Sequence, residues 1–208
     1  MRIPRLNQVI LIIIFAEFLF TAASGLITPL FAVFILDNIE GSALTVIGFA
    51  TAIYWVTKSI LQLPIARQLD KNHGEIDDYY SMLGGVFLMV LIVYTYYFIH
   101  HVWQVYLLQF LAGVADAFVV PPFYAIFTRH IDKGKEAFEW ALFSSFSMGA
   151  GSALGAVLGG VLGTIAGFRS VFPVVGILSF VATIMLVFLK PYILPKVPSA
   201  VPRIFIEK

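Results

Sequence analysis

Apolar residues run along this chain in six long segments separated by short polar stretches. The segments cover residues 9–36, 44–65, 79–99, 102–127, 137–165 and 169–189. A helix needs about 20 apolar residues to cross the hydrocarbon core of a bilayer, and every segment reaches that length. The pattern therefore predicts six membrane-spanning helices. Pro29, the Pro121-Pro122 pair and the glycines of the fifth segment are the expected bend points.

The composition leads to the same prediction. Hydrophobic residues occupy 60% of the 208 positions and charged residues only 12%, and the mean hydropathy is +0.94. A soluble domain is about 45–50% apolar and about 25% charged. We therefore expect an all-α polytopic membrane protein in which residues 1–190 form one six-helix bundle. Residues 191–208, where prolines alternate with basic residues, are expected to form an extended tail.

The positions of Lys and Arg predict the orientation in the membrane. Nearly all of the 13 Lys and Arg residues lie in the N-terminus, the second and fourth loops and the tail, and Arg169 is the exception on the opposite side. By the positive-inside rule, both termini are predicted to be cytoplasmic. The net charge of +1 gives no information about nucleic-acid binding, and no nucleic-acid partner is expected. The expected location is the plasma (inner) membrane of a prokaryote.

Three charged residues fall near the middle of predicted spans: Glu17, Lys58 and Asp116. Each would cost roughly 2.5–3.5 kcal/mol if it faced lipid, so each is expected to face protein or water. Adjacent antiparallel spans favour a pair between Glu17 and Lys58, which would act as a gate or substrate clamp. Asp116 then remains as the titrating group. The alternative is a structural ion pair together with a carboxylic acid kept neutral by burial.

Polar residues at helical spacing share the helix faces of these charges, and aromatic residues lie nearby. Three helices with polar stripes at one depth predict an aqueous cavity with aromatic walls. For any single aromatic residue, ordinary packing is the simpler interpretation. The predicted solute and proton site consists of Glu17, Thr21, Ser24, Tyr54, Lys58, Gln109, Asp116, Tyr124 and Trp140.

Four short motifs follow one another along the chain. Residues 62–74 (QLPIARQLDKNHG) look like a degraded GxLaDRxG loop, and residues 109–113 (QFLAG) look like RxxqG with glutamine in place of arginine. Residues 149–163 (GAGSALGAVLGGVLG) are similar to GxxxGPxxGG, and residues 167–172 (GFRSVF) to GWRxxF. Together these motifs resemble one six-helix half of the twelve-helix fold of the major facilitator superfamily.

The resemblance implies a secondary active transporter that works by alternating access around a midplane site. It also implies that the fifth helix packs against the second helix of another half through Gly151, Gly155, Gly159 and Gly160. A second copy could supply that helix in a parallel C2 homodimer, because the two halves of this fold are related by an axis along the membrane normal. A heteromeric partner is the alternative.

The expected activity is proton- or cation-coupled transport of a small polar or amphipathic solute, with the lipid bilayer, the solute and a second copy as partners. Asp70, Lys71 and Arg129 are expected to form a gating loop. The competing hypotheses are a non-transport membrane subunit, a lipid scramblase and an enzyme acting on lipids within the bilayer. No cofactor is expected. A metal is not expected either, because the adjacent His100 and His101 side chains cannot easily point into one site.

Overall fold

The computed structural model describes residues 6–71 and 74–193, and every regular element in this part of the chain is a helix. The spans predicted from the apolar segments are confirmed, since six helical stretches are long and apolar enough to cross a membrane. The predicted tail lies outside the described residues from position 194 onward.

The helices are α1 (Gln8–Ile27), α2 (Phe31–Asn38), α3 (Leu44–Leu69), α4 (Ile76–Tyr96), α5 (Val102–His130), α6 (Glu136–Leu142), α7 (Gly151–Ala166) and α8 (Phe168–Val187). A π-helix (Phe143–Ala150) joins α6 to α7, and a 3-10 turn (Lys190–Tyr192) follows α8.

Two of the expected bend points differ in their effect on the helices. Pro29 lies in the turn that separates α1 from α2. Proline has no N–H to donate to the preceding helical turn, which favours a break between the two helices at this point. Pro121 and Pro122, by contrast, lie inside α5, which continues to His130. In the fifth span the irregularity is the π-helix, which comes before most of the glycines rather than among them.

The spans differ in how much of their surface is covered by the rest of the chain. α5 packs against α3 and α4, while α1 packs against α7 and α8. In four spans, 44% of the most apolar stretch is buried, but the figure is 17% for α3 and 22% for the fifth span. These two spans therefore turn most of their apolar surface away from the bundle. Val56, Ile60, Val157 and Leu158 are among the exposed side chains.

The glycine face of α7 is occupied by α1 of the same chain. Gly151, Gly155 and Gly159 are buried, and a Cβ atom added to Gly155 or Gly159 would overlap the carbonyl of Ala22 or Leu26. The prediction that this face seats a helix of a second copy is therefore wrong. Because glycine has no side chain, the backbones of α1 and α7 approach closely, as in other membrane helix contacts built from small residues. Nothing lies within 4 Å of a Cβ built on Gly160, which belongs to the opposite, open face.

Arg169 joins three parts of the bundle at the end opposite the start of α1. Its guanidinium donates to the side chain and carbonyl of Asn38 at 3.2 and 3.3 Å. It also donates to the carbonyls of Tyr97 at 2.7 Å and Ile99 at 3.0 Å. These carbonyls lie at the ends of α2 and α4, where the helix geometry leaves acceptors without intrahelical donors. The single arginine thus holds the first, third and sixth spans together.

Candidate functional site

A cavity of about 390 Å³ lies within the bundle, and most of the predicted site residues line it. Its wall is mainly apolar, with polar groups contributed by α1, α3 and α5 and by Ser179 of α8. The volume falls within the range of small-molecule pockets, about 300–1,000 Å³. The predicted residues that reach it are Glu17, Thr21, Ser24, Tyr54, Lys58, Asp116 and Tyr124.

The centre of the polar wall is an ion pair between Lys58 and Asp116. The ammonium Nζ of Lys58 lies 2.8 Å from Oδ2 of Asp116, and the two side chains are 14% and 21% exposed. The hydroxyl of Tyr54 donates to the same carboxylate oxygen at 2.5 Å. Asp116 therefore receives two donors from α3. Removing one partner of an ion pair buried to this extent would leave the other charge uncompensated, which is strongly destabilising.

This arrangement corrects the predicted pair between Glu17 and Lys58. The prediction assumed that consecutive spans are neighbours, but α3 packs against α5, and α1 packs against α7 and α8. Residue depth along a span can be counted from the sequence, whereas the facing direction of each span depends on the bundle. Asp116, expected to lack a cation in its own chain, is the group that holds Lys58.

Gly113 allows α3 and α5 to approach closely enough for this ion pair. A Cβ atom at this position would lie 2.7 Å from the carbonyl oxygen of Tyr54 and 2.8 Å from the Cβ of Thr57. Gly113 lies one turn before Asp116 on α5. In the sequence, Gly113 closes the RxxqG-like motif, and its spacing from Asp116 is the signal for a close helix crossing at this point.

Glu17 is the second carboxylate of the cavity. It lies on α1 beside Thr21 and within electrostatic reach of Asp116. Among the described residues, the ion pairs do not include Glu17. The cavity thus contains one compensated carboxylate and one that has no cation bridged to it.

Two predicted site residues do not line the cavity. Trp140 packs in an aromatic cluster, with its ring centroid 4.6 Å from that of Phe127 and 6.0 Å from that of Tyr124. Gln109 is on the same face of α5 as Asp116 but two turns away, and it is not among the lining residues. Phe143 and Met148, which sequence reasoning missed, reach the cavity from the π-helix.

The predicted gating contacts are arranged differently in the structure. Arg129 lies 2.5 Å from Asp78 and 3.9 Å from Glu75 at the start of α4, rather than against Asp70. Asp70 instead occupies the C-cap of α3. Lys71 donates to the side chain of Gln68 at 3.1 Å. Arg129 therefore joins the end of α5 to the start of α4, because those two helices are direct neighbours.

His101 has a carboxylate beside it at the opposite end of the bundle. Its Nδ1 lies 3.1 Å from the carboxylate of Glu40, and both side chains are exposed. Within residues 6–71 and 74–193, no three His, Cys, Asp or Glu side chains form a group that could hold a metal ion.

Six apolar helical spans enclose a solute-sized cavity lined by charged side chains, and they define an integral membrane protein. The profile of the Major Facilitator Superfamily matches residues 13–206, so the chain belongs to that family. No curated protein matches the chain.

One similar solved structure is the in meso crystal structure of the POT family transporter PepTSo. The TM-score is 0.69 at 17% sequence identity, and the match covers 94% of this chain and 39% of that chain. At this identity the likeness shows the fold alone. The chain described here thus spans about two-fifths of the length of PepTSo.

Proposed function

We propose that this chain is a secondary active transporter of a small polar or amphipathic solute. The observation that supports this function best is the meeting of Glu17, Lys58 and Asp116 in one cavity, although they come from three different spans. Ionisable groups within membrane spans are costly and tend to line substrate or ion paths. A solute bound in the cavity would contact these groups, and alternating access would expose them to one side of the membrane at a time.

The arrangement of the two carboxylates supports coupling of transport to protons. Asp116 is held by Lys58 and Tyr54, so protonating it would break an ion pair and displace a hydrogen-bond donor. Glu17 can accept a proton without breaking an ion pair of the described residues. We therefore assign the proton-carrying step to Glu17 and the gate to the Lys58–Asp116 pair. This assignment exchanges the roles expected from the sequence.

We further propose that two copies in the same orientation form the working unit. The exposed apolar sides of α3 and α7 support this, because they are the two least covered spans of the bundle. In a C2 dimer each α7 would face the α3 of its partner, and the contact would occur twice. The contact would use the side of α7 that carries Val157 and Gly160, since α1 covers the buried glycines.

Transport can be tested in proteoliposomes that hold the full chain and a trapped pH-sensitive dye. A panel of amino acids, sugars, monoamines and quaternary amines is added outside, and the internal pH is recorded. We expect at least one compound class to drive proton movement in the wild type, with the signal abolished in Glu17→Gln. Asp37→Asn is the matched control, since Asp37 is an exposed carboxylate outside the cavity. If no compound gives a signal above protein-free vesicles, the transport proposal fails.

The dimer can be tested by native mass spectrometry of the chain in lipid nanodiscs. We expect a two-copy species that Val157→Trp converts to a monomer. Ile177→Trp on α8 is the control, because Ile177 is similarly exposed, at 57% against 67% for Val157. A wild-type monomer, or equal effects of the two substitutions, would exclude this interface.

A further inference from the structure

We infer that the cavity takes a monovalent organic cation with an apolar body, bound by Glu17 and the surrounding aromatic rings. The inference deepens the proposed transport function by naming the class of solute for the same site. Lys58 remains the internal counterion of Asp116 in the bound state. The ligand charge therefore lies near Glu17.

The charge of the cavity is the first argument. The acidic and basic side chains that line it are one amine, Lys58, and two carboxyl groups, Glu17 and Asp116. Tyr54 and Tyr124 are the other titratable side chains that line it, and the described lining residues from α4, the π-helix and α8 carry none. With both carboxylates ionised the cavity thus has one excess negative charge. A single positive charge on the ligand neutralises it, whereas an anion would be repelled.

The aromatic wall is the second argument. Phe20, Tyr54, Phe123, Tyr124 and Phe143 all line the cavity. Cations with low hydration, such as quaternary amines, bind favourably over aromatic faces within about 6 Å of the ring centroid. Such rings also bury the apolar body of a solute.

The position of Lys58 shows that this region already accommodates a cation near aromatic rings. Its Nζ lies 5.7 Å from the ring centroid of Tyr54 and 5.1 Å from that of Trp55. The ammonium therefore combines a carboxylate on one side with aromatic faces on the other. Glu17 and the remaining rings offer a ligand cation the same two kinds of contact.

Equilibrium binding of tritiated benzyltrimethylammonium to the full chain in nanodiscs tests this inference. Neopentylbenzene has the same shape without the charge, and phenylacetate carries the opposite charge. We expect saturable binding of the cation. The neutral isostere should compete at least roughly tenfold less well, and phenylacetate should not compete, because only the cation interacts favourably with Glu17.

Variants separate the charge of Glu17 from the structural integrity of the bundle. Glu17→Gln should weaken cation binding at least roughly tenfold, and Glu17→Asp should restore most of it. Lys58→Met should tighten binding, since it leaves Asp116 as a second uncompensated carboxylate, an effect that a damaged fold would not produce. Asp37→Asn, which removes an exposed carboxylate outside the cavity, should leave binding unchanged.

Wild-type affinity in Glu17→Gln, or equal competition by phenylacetate, would overturn the inference. Proton-coupled movement of some other solute without cation binding would also overturn it while leaving the transport function intact. Cation binding without movement of any solute would support the inference and contradict transport.

Discussion

Replacing Gly113 with alanine adds one methyl group where α3 crosses α5. The added Cβ would lie 2.7 Å from the Tyr54 carbonyl oxygen, whereas an ordinary contact begins at 3.4 Å. α3 would therefore have to retreat by about 0.7 Å, which is the difference between these two distances. With the side-chain conformations unchanged, the same movement would lengthen the Lys58–Asp116 contact from 2.8 Å to beyond the range of an N–H···O hydrogen bond, roughly 2.7–3.2 Å.

The loss of stability caused by overpacking in Gly113→Ala can be separated from the gain in helix propensity that alanine brings. Overpacking costs about 1–3 kcal/mol, whereas alanine gains about 1 kcal/mol over glycine within a helix. Gly84→Ala on α4 is the matched control, because nothing lies within 4 Å of the added Cβ and only the propensity gain applies. We expect Gly113→Ala to have a lower apparent melting temperature in nanodiscs than Gly84→Ala. We also expect tighter binding of benzyltrimethylammonium, because a longer Lys58–Asp116 contact leaves the Asp116 carboxylate less fully compensated.

A second comparison isolates the ion pair. In a Lys58→Met background, Gly113→Ala should no longer change cation binding, since the contact it disturbs is already absent. If Gly113→Ala raises the melting temperature as much as Gly84→Ala and leaves binding unchanged, the close crossing of α3 and α5 does not position the pair.

Substitutions at three further contacts of the bundle can be tested by thermal unfolding in nanodiscs. Gly155→Ala should destabilise by about 1–3 kcal/mol because its Cβ would meet the backbone of α1, whereas Gly84→Ala on α4 should be neutral or stabilising because nothing lies within 4 Å of its added Cβ. Arg129→Gln leaves the carboxylate of Asp78, which is 2% exposed, without its ion pair; we expect a loss of about 3–5 kcal/mol, partly restored by adding Asp78→Asn. Arg169→Gln removes donors to three loop or helix-end carbonyls and should lower the melting temperature, and an unchanged value would show that these contacts contribute nothing.

The candidate site could be predicted in part, because depth in the membrane follows from counting residues along each span. Glu17, Lys58 and Asp116 were placed at one depth by this counting, and the cavity contains all three. Which of them pair depends on the direction each helix faces. That direction is set by packing against helices distant in the sequence, as the contact of α3 with α5 illustrates.

The glycine pattern of α7 shows the same limit at the level of helix packing. Its four-residue spacing predicted a close helix contact, and the buried glycines make one. The spacing carries no information about which helix is the partner. The complementary signal was Gly25 on α1, where an added Cβ would meet the carbonyl of Ser152 at 2.9 Å.

By itself the sequence determined the six spans and the family, since hydrocarbon thickness sets the length of an apolar segment and the motifs are local. It also determined which charges lie deep in the membrane. Only the tertiary structure decided that Lys58 pairs with Asp116, that α1 covers the glycine face, and that Arg129 binds the start of α4. These contacts join residues far apart in the chain, and their geometry depends on helix rotation and crossing, which no local pattern encodes.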